Sequence, residues 1–312
     1  MTTTKPTTNI QYAYLTGFEP FGKDMTKNRS WDTIIQLNNE QIAITNDHQN
    51  EKAQGQNYDP PVTEIIHCVT ERLPVEYEPI PKLLMPKHRH GTTAISNSSS
   101  NDKSPVYIPP NKPFRYFVHC GAGVPGIVRI EVQAFKYGYF APGNGGPTDI
   151  PPDNCVPGYP YSMLKTSVDV FGLVKYLQEE KKWGNDIVIS QNAGAYLCEY
   201  TYYVSLAENQ LKRDGVKTLV PKDSSDFDDQ NSGVCCVDRI TRYLSLASKE
   251  PSSGRNDDYN GDGDKASDPN ALILFVHVPP SGGPYNDAQL AQIIRDILVW
   301  LNREYRKGNS KV

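Results

Sequence analysis

The sequence of 312 residues has little that would suit it to a nucleic acid or a membrane. Its formal net charge is -4, and Lys and Arg do not cluster beyond pairs before the C-terminal tail, so no basic field attracts a phosphate backbone. Residues 1–9 are rich in threonine and have no apolar signal region, and the most apolar stretch, 271–280, is too short to span a bilayer. We therefore expect no nucleic-acid partner, no membrane association and a cytosolic location.

The cysteines lack the spacing of a metal site or of a disulfide framework. All six lie far apart except for the vicinal pair Cys235 and Cys236, and the sequence has no CxxC motif and no Cys/His pattern with zinc-ligand spacing. We interpret them as free thiols. Segment 257–264 resembles the start of a calcium-binding loop, but Pro269 stands where that loop needs a bidentate Glu. The sequence therefore predicts no metal site.

Apolar residues are scarce for a chain of this length, at 38%. Three segments lose periodicity and gain polar or helix-breaking residues, at about 46–61, 91–112 and 209–269. We interpret them as surface insertions in one decorated domain that spans residues 1–312, with flexible termini at 1–9 and 307–312. The last insertion is predicted to contain a short helix at 234–248.

Short apolar runs alternate with helical patterns along the chain, which is typical of an α/β fold. The clearest helix repeats apolar residues at helical spacing over 290–301, after a capping-box pair, Asn286 and Gln289. A second helix is predicted at about 195–212. We expect an open, mostly parallel, twisted sheet with helices on both faces. Its predicted strands are 10–16, 64–70, 115–120, 127–134, 187–190 and 272–278.

Three glycines, Gly121, Gly123 and Gly126, match the dinucleotide-binding pattern GxGxxG directly after a predicted strand. That fingerprint needs a helix after the glycines, whereas the apolar residues of 127–132 alternate as in a strand, and Pro125 interrupts the turn. We keep a nucleotide-binding oxidoreductase only as the weaker alternative.

Cys198 and His277 are the main candidates for catalytic residues. Cys198 follows a predicted strand and lies in the first turns of a predicted helix, where peptide dipoles and unpaired N–H groups favour a thiolate. His277 lies at the carboxyl end of a predicted strand, the edge at which sites form in open α/β sheets. Together they fit a thiol nucleophile with a general base. An ordinary buried cysteine, and a histidine that only binds a loop, remain the alternatives.

Four separated segments carry a resemblance to a known family. They are 15–22 (LTGFEPFG), 116–139, 191–203 (QNAGAYLCEYTYY), and 275–280 (FVHVPP) with 283–286 (GPYN). These segments resemble pyroglutamyl peptidase I, the pyrrolidone-carboxylate peptidase family of cysteine peptidases, in its eukaryotic form. The resemblance implies a three-layer α/β/α catalytic domain like that of the phosphorylases and peptidyl hydrolases, with no cofactor and no metal. It also implies an exopeptidase that releases N-terminal pyroglutamate from peptides through an acyl-thioenzyme.

The resemblance implies a catalytic role for three residues by their positions. Cys198 would be the nucleophile, His277 the general base, and Glu131 the acidic group that orients and stabilises the imidazolium. From the residues alone, a salt bridge with Arg129 or Lys136 on one strand face is the preferred interpretation of Glu131.

The same resemblance implies a substrate pocket. Phe18 and Phe21 match the two aromatic residues that sandwich the pyroglutamyl ring, and Asn28 matches a polar residue at the amide edge of the ring. A lactam has apolar faces and an edge with one N–H and one C=O, so such a pocket suits it. Proline lacks both lactam groups and would leave their partners unpaired, at about 1 to 3 kcal/mol each. From the residues alone, two loop phenylalanines are more often core-filling.

The implied partners are small peptides with an N-terminal pyroglutamyl residue. The oligomeric state is left open, with a monomer among the options. A catalytically altered family member that acts as a binding protein is the main alternative function.

Overall fold

The computed structural model describes residues 8–22, 26–44, 63–92, 111–215, 268–280 and 282–309. The strands of these ranges are β1 (Thr8–Phe18), β2 (Gln41–Ile44), β3 (Thr63–Leu73), β4 (Phe114–Ala122), β5 (Val128–Glu131), β6 (Gln133–Phe135), β7 (Met163–Lys165), β8 (Ile187–Ser190) and β9 (Leu272–Val278). The α-helices are α1 (Arg29–Ile34), α2 (Pro79–His90), α3 (Val170–Lys175), α4 (Leu197–Arg213) and α5 (Asp287–Asn309). Short 3-10 turns occupy Ile35–Leu37 and Pro152–Asn154, and a π-helical turn, Tyr176–Glu180, follows α3.

Seven strands form the main sheet in the order β2-β3-β1-β4-β9-β5-β8. Strands β3, β1, β4 and β9 run parallel to one another, and β5 and β8 form a parallel pair that runs antiparallel to β9. Strand β2 is an antiparallel edge, and β6 pairs with β7 in a separate small sheet. The predicted α/β class with a mostly parallel sheet is confirmed.

Helices cover both faces of the main sheet, and successive side chains of each strand alternate between the faces. On β1, Ala13 and Leu15 pack with the layer of α1, α3 and α5, which we call the aliphatic face. Tyr12 and Tyr14 pack with the layer of α2 and α4, which we call the tyrosine-rich face.

The predicted strands agree with the structure except at one position. Strands β8 and β9 have the predicted bounds, and β1, β3 and β4 are one to three residues longer at each end than predicted. The single strand predicted at 127–134 is wrong, because the chain leaves the main sheet at Val132. The Val132 N–H donates to the Ser190 carbonyl (2.8 Å) and its own carbonyl accepts from the Thr166 N–H (3.0 Å). Strand β5 therefore stays in the main sheet while β6 joins the small one.

Both predicted helices of the described ranges are present. The capping box of α5 is confirmed: the Gln289 N–H donates to Asn286 Oδ1 and the Asn286 N–H donates to Gln289 Oε1, both at 2.9 Å. Helix α4 is buried on almost every side, because the sheet lies against one side and α2 against another. It ends at Arg213, so the first residues of the insertion predicted at 209–269 are helical.

Several expectations lie outside the described residues. These are the insertion at 46–61, most of the insertions at 91–112 and 209–269, the helix at 234–248, the loop at 257–264 and the pair Cys235 and Cys236. Strand β1 begins at Thr8 and α5 ends at Asn309, within the two terminal segments named above. Among the described helices, none combines the length and the apolar character that crossing a bilayer requires.

Candidate active site

The pairing of β5 with β9 brings the predicted acid and base to one face of the sheet. Arg129 lies directly opposite His277 in this antiparallel pair, and Glu131 lies two residues further along β5. Residues directly opposite each other in such a pair point to the same face. Because Ile130 fills the core of the aliphatic face, Arg129 and Glu131 point to the tyrosine-rich face, as His277 does.

Glu131 and His277 are in direct contact. His277 Nδ1 lies 2.8 Å from Glu131 Oε1, and both residues are at most 2% exposed. A carboxylate only accepts, so Nδ1 carries the proton, and Nε2 of the neutral ring keeps a free lone pair. Tyr202 Oη donates to the main-chain carbonyl of Glu131 (2.9 Å) and fixes the strand there. Lys136, a candidate partner of Glu131, donates instead to the Tyr159 carbonyl (2.6 Å).

Cys198 is the second residue of α4, after a sharp turn from β8. Gly194 (φ 101°) and Ala195 (φ 48°) both adopt left-handed backbone conformations, and Tyr196 is extended at the helix start. This turn sets the thiol against the end of β4. A Cβ atom on Gly121 would lie 2.7 Å from Cys198 Sγ, and Gly121 is the register partner of His277. The structure therefore brings the thiol to the same strand ends as the His277 and Glu131 pair.

The glycines of the GxGxxG match have a different role from the one that the pattern suggests. A Cβ atom on Gly121 would also lie 2.9 Å from the Phe275 ring, and one on Gly123 would lie 2.8 Å from Cβ of His277. Both positions need glycine because side chains of the site occupy the space. The glycines precede strand β5 and no helix, so the dinucleotide-binding alternative is not supported. Residue spacing alone gave no sign of this packing role.

The electrostatic environment of Cys198 favours the neutral thiol. Burial is the main reason that the pKa of Cys198 is raised to about 12, and the carboxylates of Glu131 and Glu199 act in the same direction. The Arg129 guanidinium and a backbone N–H bond act in the opposite direction on this pKa. The expectation that the helix start favours a thiolate is thus outweighed by burial. Attack by this sulfur requires a base that removes its proton.

Glu199 is a buried carboxyl group next to the thiol that sequence reasoning did not select. Burial raises the pKa of Glu199 to about 7, although it accepts hydrogen bonds from the backbone N–H groups of Ala195 and Phe135. Its position ties the turn before Cys198 to strand β6.

The three predicted pocket residues have different surroundings. Phe21 is 41% exposed and its ring centroid lies 6.4 Å from that of Tyr196, two residues before Cys198. Phe18 is buried at the end of β1, where its N–H donates to Ser30 Oγ (3.0 Å). The structure therefore brings the exposed Phe21 ring close to the Tyr196 ring and packs Phe18 into the core of the tyrosine-rich face.

Asn28 is bonded within the chain. Its Oδ1 accepts from the N–H (3.1 Å) and the hydroxyl (2.8 Å) of Ser30, which makes it the N-cap of α1. Its Nδ2 donates to the Glu19 carbonyl (2.8 Å). Asn28 thus shapes the loop that carries Phe21, and its contact with a substrate stays a prediction.

Arg29 joins α1 to the segment that follows His277. Its guanidinium donates to the carbonyls of Pro279 (3.2 Å), Gly282 (3.1 Å) and Tyr285, and to Asp287 Oδ1 (2.6 Å). Sequence reasoning missed this residue, because a lone Arg after a helix cap has no recognisable pattern. In the described part of the chain, no three or more His, Cys, Asp or Glu side chains gather closely enough to hold a metal ion.

Comparisons with known proteins agree on one family. No family model matches the chain. Two curated relatives named pyroglutamyl-peptidase 1, from Mus musculus and Homo sapiens, are each 26% identical over 297 residues, which cover 91% of this chain and 86% of the relative. These relatives support the assignment of the chain to the pyroglutamyl peptidase I family. The resemblance of the four separated segments to pyroglutamyl peptidase I is therefore confirmed.

Solved structures share the fold of this chain. The pyrrolidone carboxyl peptidase from Thermococcus litoralis matches with a TM-score of 0.53 at 15% identity, covering 96% of each chain. A mutant of the pyrrolidone carboxyl peptidase from Pyrococcus furiosus matches with a TM-score of 0.51 at 17% identity, covering 94% of this chain and 99% of the other.

Proposed function

We propose that this protein is a cysteine exopeptidase that releases N-terminal pyroglutamate from peptides through an acyl-thioenzyme intermediate. The observation that carries the proposal is the packing of Cys198 Sγ at the end of β4, beside a buried His277 and Glu131 pair. The curated relatives are named for the same activity.

The proposed reaction uses the three side chains in sequence. His277 Nε2 takes the proton of the Cys198 thiol as the sulfur attacks the carbonyl carbon of the pyroglutamyl residue. The C–N bond then breaks, and the same proton passes to the leaving amine. Water, deprotonated by His277, next attacks the thioester carbonyl, the C–S bond breaks to release pyroglutamate, and the imidazolium returns the proton to the Cys198 sulfur. Glu131 holds the ring through Nδ1 and stabilises the imidazolium that forms twice in this cycle.

The start of α4 would stabilise the oxyanion of the tetrahedral intermediates. The first N–H groups of a helix have no intrahelical acceptor. Cys198 is the second residue of α4, so its backbone N–H is one of these donors and belongs to the residue that carries the reacting sulfur. Preorganised N–H donors of this kind contribute about 3 to 4 kcal/mol each to transition-state stabilisation.

The pocket proposal places the lactam ring beside Phe21. This exposed ring and the Tyr196 ring offer apolar surface next to the nucleophile, and Phe18 supports the loop from below. Asn28 would complete the pocket at the amide edge of the substrate ring. A pocket with apolar walls and few charges also disfavours a charged N-terminal amine.

We further propose that the enzyme is one decorated catalytic domain that acts on small pyroglutamyl peptides in the cytosol. The four described cysteines (Cys68, Cys120, Cys155 and Cys198) are free thiols, which suits a reducing compartment.

The test is hydrolysis of a pyroglutamyl fluorogenic amide by the wild type, by Cys198→Ala and by Cys68→Ala. Cys68 is buried on the aliphatic face, so its variant is the matched control. We expect turnover by the wild type and by the control, and none by Cys198→Ala. Activity retained in Cys198→Ala would refute the mechanism. A wild type that binds a pyroglutamyl aldehyde but never cleaves the amide would favour the binding-protein alternative.

A further inference from the structure

Arg129 is a charged side chain of the site to which the proposed reaction gives no role. It lies on β5, directly opposite His277 and on the same face of the sheet. Its Nε atom is 3.8 Å from Glu131 Oε1, which is beyond hydrogen-bond range, and the two groups form only a loose ion pair. That Nε is buried and has no hydrogen-bond partner among the described residues.

The Nε–H of this guanidinium therefore has no acceptor among the described residues, while the Arg129 side chain as a whole is 23% exposed. Buried N–H donors normally find one, and an exception calls for an explanation. Glu131 Oε2 is also buried without a described partner, so Arg129 and Glu131 lie side by side without closing a bidentate pair. The positive charge therefore remains available to a negative charge that develops nearby.

We propose that Arg129 is a positioning residue that stabilises the negative charge of Cys198 as the thiolate forms, and that it offsets the opposing charge of Glu131. The expected effect of Arg129 on turnover rests on the proposed function. The expected effect of Arg129 on the Cys198 thiolate does not, because it can be measured without a substrate.

Charged and titratable groups surround the Cys198 thiol on several elements of the fold. Glu131 and Glu199 carry negative charge when ionised, and both disfavour a thiolate. Among the described groups around Cys198, Arg129 is the one permanent cation, since a guanidinium does not deprotonate in proteins. It lowers the pKa of Cys198, against the effects of burial and of the two carboxylates. The titratable neighbours are Glu131 on β5, His277 on β9, Cys120 on β4, Glu199 on α4, and Tyr77 and Tyr196.

The chemical need for this cation follows from the role of Glu131. A carboxylate beside His277 stabilises the imidazolium, but the same charge makes the thiolate more costly to form. A fixed cation beside the carboxylate reduces that penalty and leaves the hydrogen bond to Nδ1 intact. Arg129 can do this because it sits opposite His277 and next to Glu131 on the same strand.

The experiment measures the rate at which iodoacetamide alkylates Cys198, as a function of pH, in the intact protein. Arg129→Gln and Arg129→Met remove the charge, Arg129→Lys retains it, and Arg303→Gln removes an exposed charge on α5 as the matched control. Peptide mass analysis assigns the alkylation to Cys198. A urea unfolding curve of each variant establishes which ones fold, and either folded neutral variant is sufficient.

We expect the neutral variants to be alkylated about tenfold more slowly than the wild type at pH 7 and at pH 8, which corresponds to a rise of about one unit in the pKa of the thiol. The Lys variant and the control should keep the wild-type rate within about twofold. Turnover of the pyroglutamyl amide should fall through kcat, with KM changed less than about twofold. Neutral variants that fold and alkylate like the wild type at every pH would overturn the proposal. If the neutral variants are alkylated more slowly but even the wild type never hydrolyses the amide, the proposal about Arg129 stands and the proposed function fails.

Discussion

The two faces of the main sheet are both covered by helices but are built from different side chains. The buried cluster of the aliphatic face contains three tyrosines and one tryptophan among mainly Leu, Ile and Val. The cluster of the tyrosine-rich face contains eight tyrosines and four phenylalanines. This second face also holds the side chains of the candidate site: Glu131, His277 and Glu199, which are buried, and Cys198, which is partly exposed.

The comparison shows how aromatic packing around the site is combined with hydrogen bonds to the main chain. A tyrosine combines an apolar body with a hydroxyl that reaches a carbonyl. Tyr202 binds the Glu131 carbonyl (2.9 Å), Tyr77 binds the Ala141 carbonyl (3.0 Å) and Tyr196 binds the Pro142 carbonyl (3.1 Å). The tyrosine-rich face thus supports the site, whereas the aliphatic face supplies stability. Substitutions on the two faces should have separable effects.

The largest effect is expected from Gly121→Ala. The new Cβ would lie 2.7 Å from Cys198 Sγ and 2.9 Å from the Phe275 ring, so the thiol must move. Displacement of a reacting atom by about 1 Å lowers turnover by about a hundredfold. The measurement is kcat/KM for a pyroglutamyl amide. Turnover within twofold of the wild type would mean that the thiol does not need this position.

Ala122→Ser is the matched control for that substitution. It adds one heavy atom at the next residue of β4, whose side chain points to the opposite face because side chains alternate along a strand. We expect turnover close to that of the wild type. An equal loss in both variants would contradict the assignment of the site to the tyrosine-rich face.

Ile294→Ala tests the aliphatic face. Ile294 is fully buried on α5, and truncation of such a residue lowers the free energy of unfolding by about 2 to 5 kcal/mol. Turnover per folded molecule should stay within about twofold of the wild type. Urea unfolding and kcat measured below the transition check both parts. The exposed neighbour Gln292→Ala is the control and should change stability by less than about 0.5 kcal/mol. A large fall in kcat for Ile294→Ala would contradict the prediction that the aliphatic face contributes to stability and not to turnover.

The smallest effect is expected from Glu199→Gln, as a change in the pH dependence of stability. The folded state raises the pKa of Glu199 from 4.5 to about 7, so between these pH values it holds a proton that the unfolded chain has released. The wild type should therefore lose stability relative to the variant as pH rises through this range, by at most about 1.4 kcal/mol per pH unit. Urea midpoints of both proteins at several pH values give the difference. A difference that does not change with pH would be the contrary result.

A second buried group, His119, changes stability with pH in the opposite direction, which is why the wild type and the variant are compared at each pH. Burial lowers the pKa of His119 to about 3, so its contribution to stability is lost as pH falls from about 6.5. Both proteins contain His119, and subtraction removes its contribution.

Much of the fold could be predicted from the sequence, because its strands and helices have strong local patterns. The apolar runs of β8 and β9 and the Asn286 and Gln289 cap of α5 are local signals, and the structure reproduces them. The break at Val132 could not be predicted, because it depends on hydrogen bonds to Ser190 and Thr166, which are distant in sequence.

The candidate site likewise contains some residues that could be predicted from the sequence and others that could not. Cys198 and His277 could be selected because each lies at a junction between elements that the sequence marks. The need for Gly121 and the clamp of Arg29 depend on contacts between segments far apart in the chain, and a single sequence carries no record of them. From the sequence, Arg129 is only a salt-bridge candidate for Glu131, because the distance between the two groups depends on the fold.

The most direct test of the proposed mechanism is detection of the acyl group on Cys198. The wild type is mixed with a pyroglutamyl ester, quenched in acid during turnover, digested and mapped by mass spectrometry. We predict one pyroglutamyl group on the peptide that contains Cys198, and none in the Cys198→Ala protein. A pyroglutamyl group on another residue, or continued turnover without any acylated peptide, would contradict the mechanism.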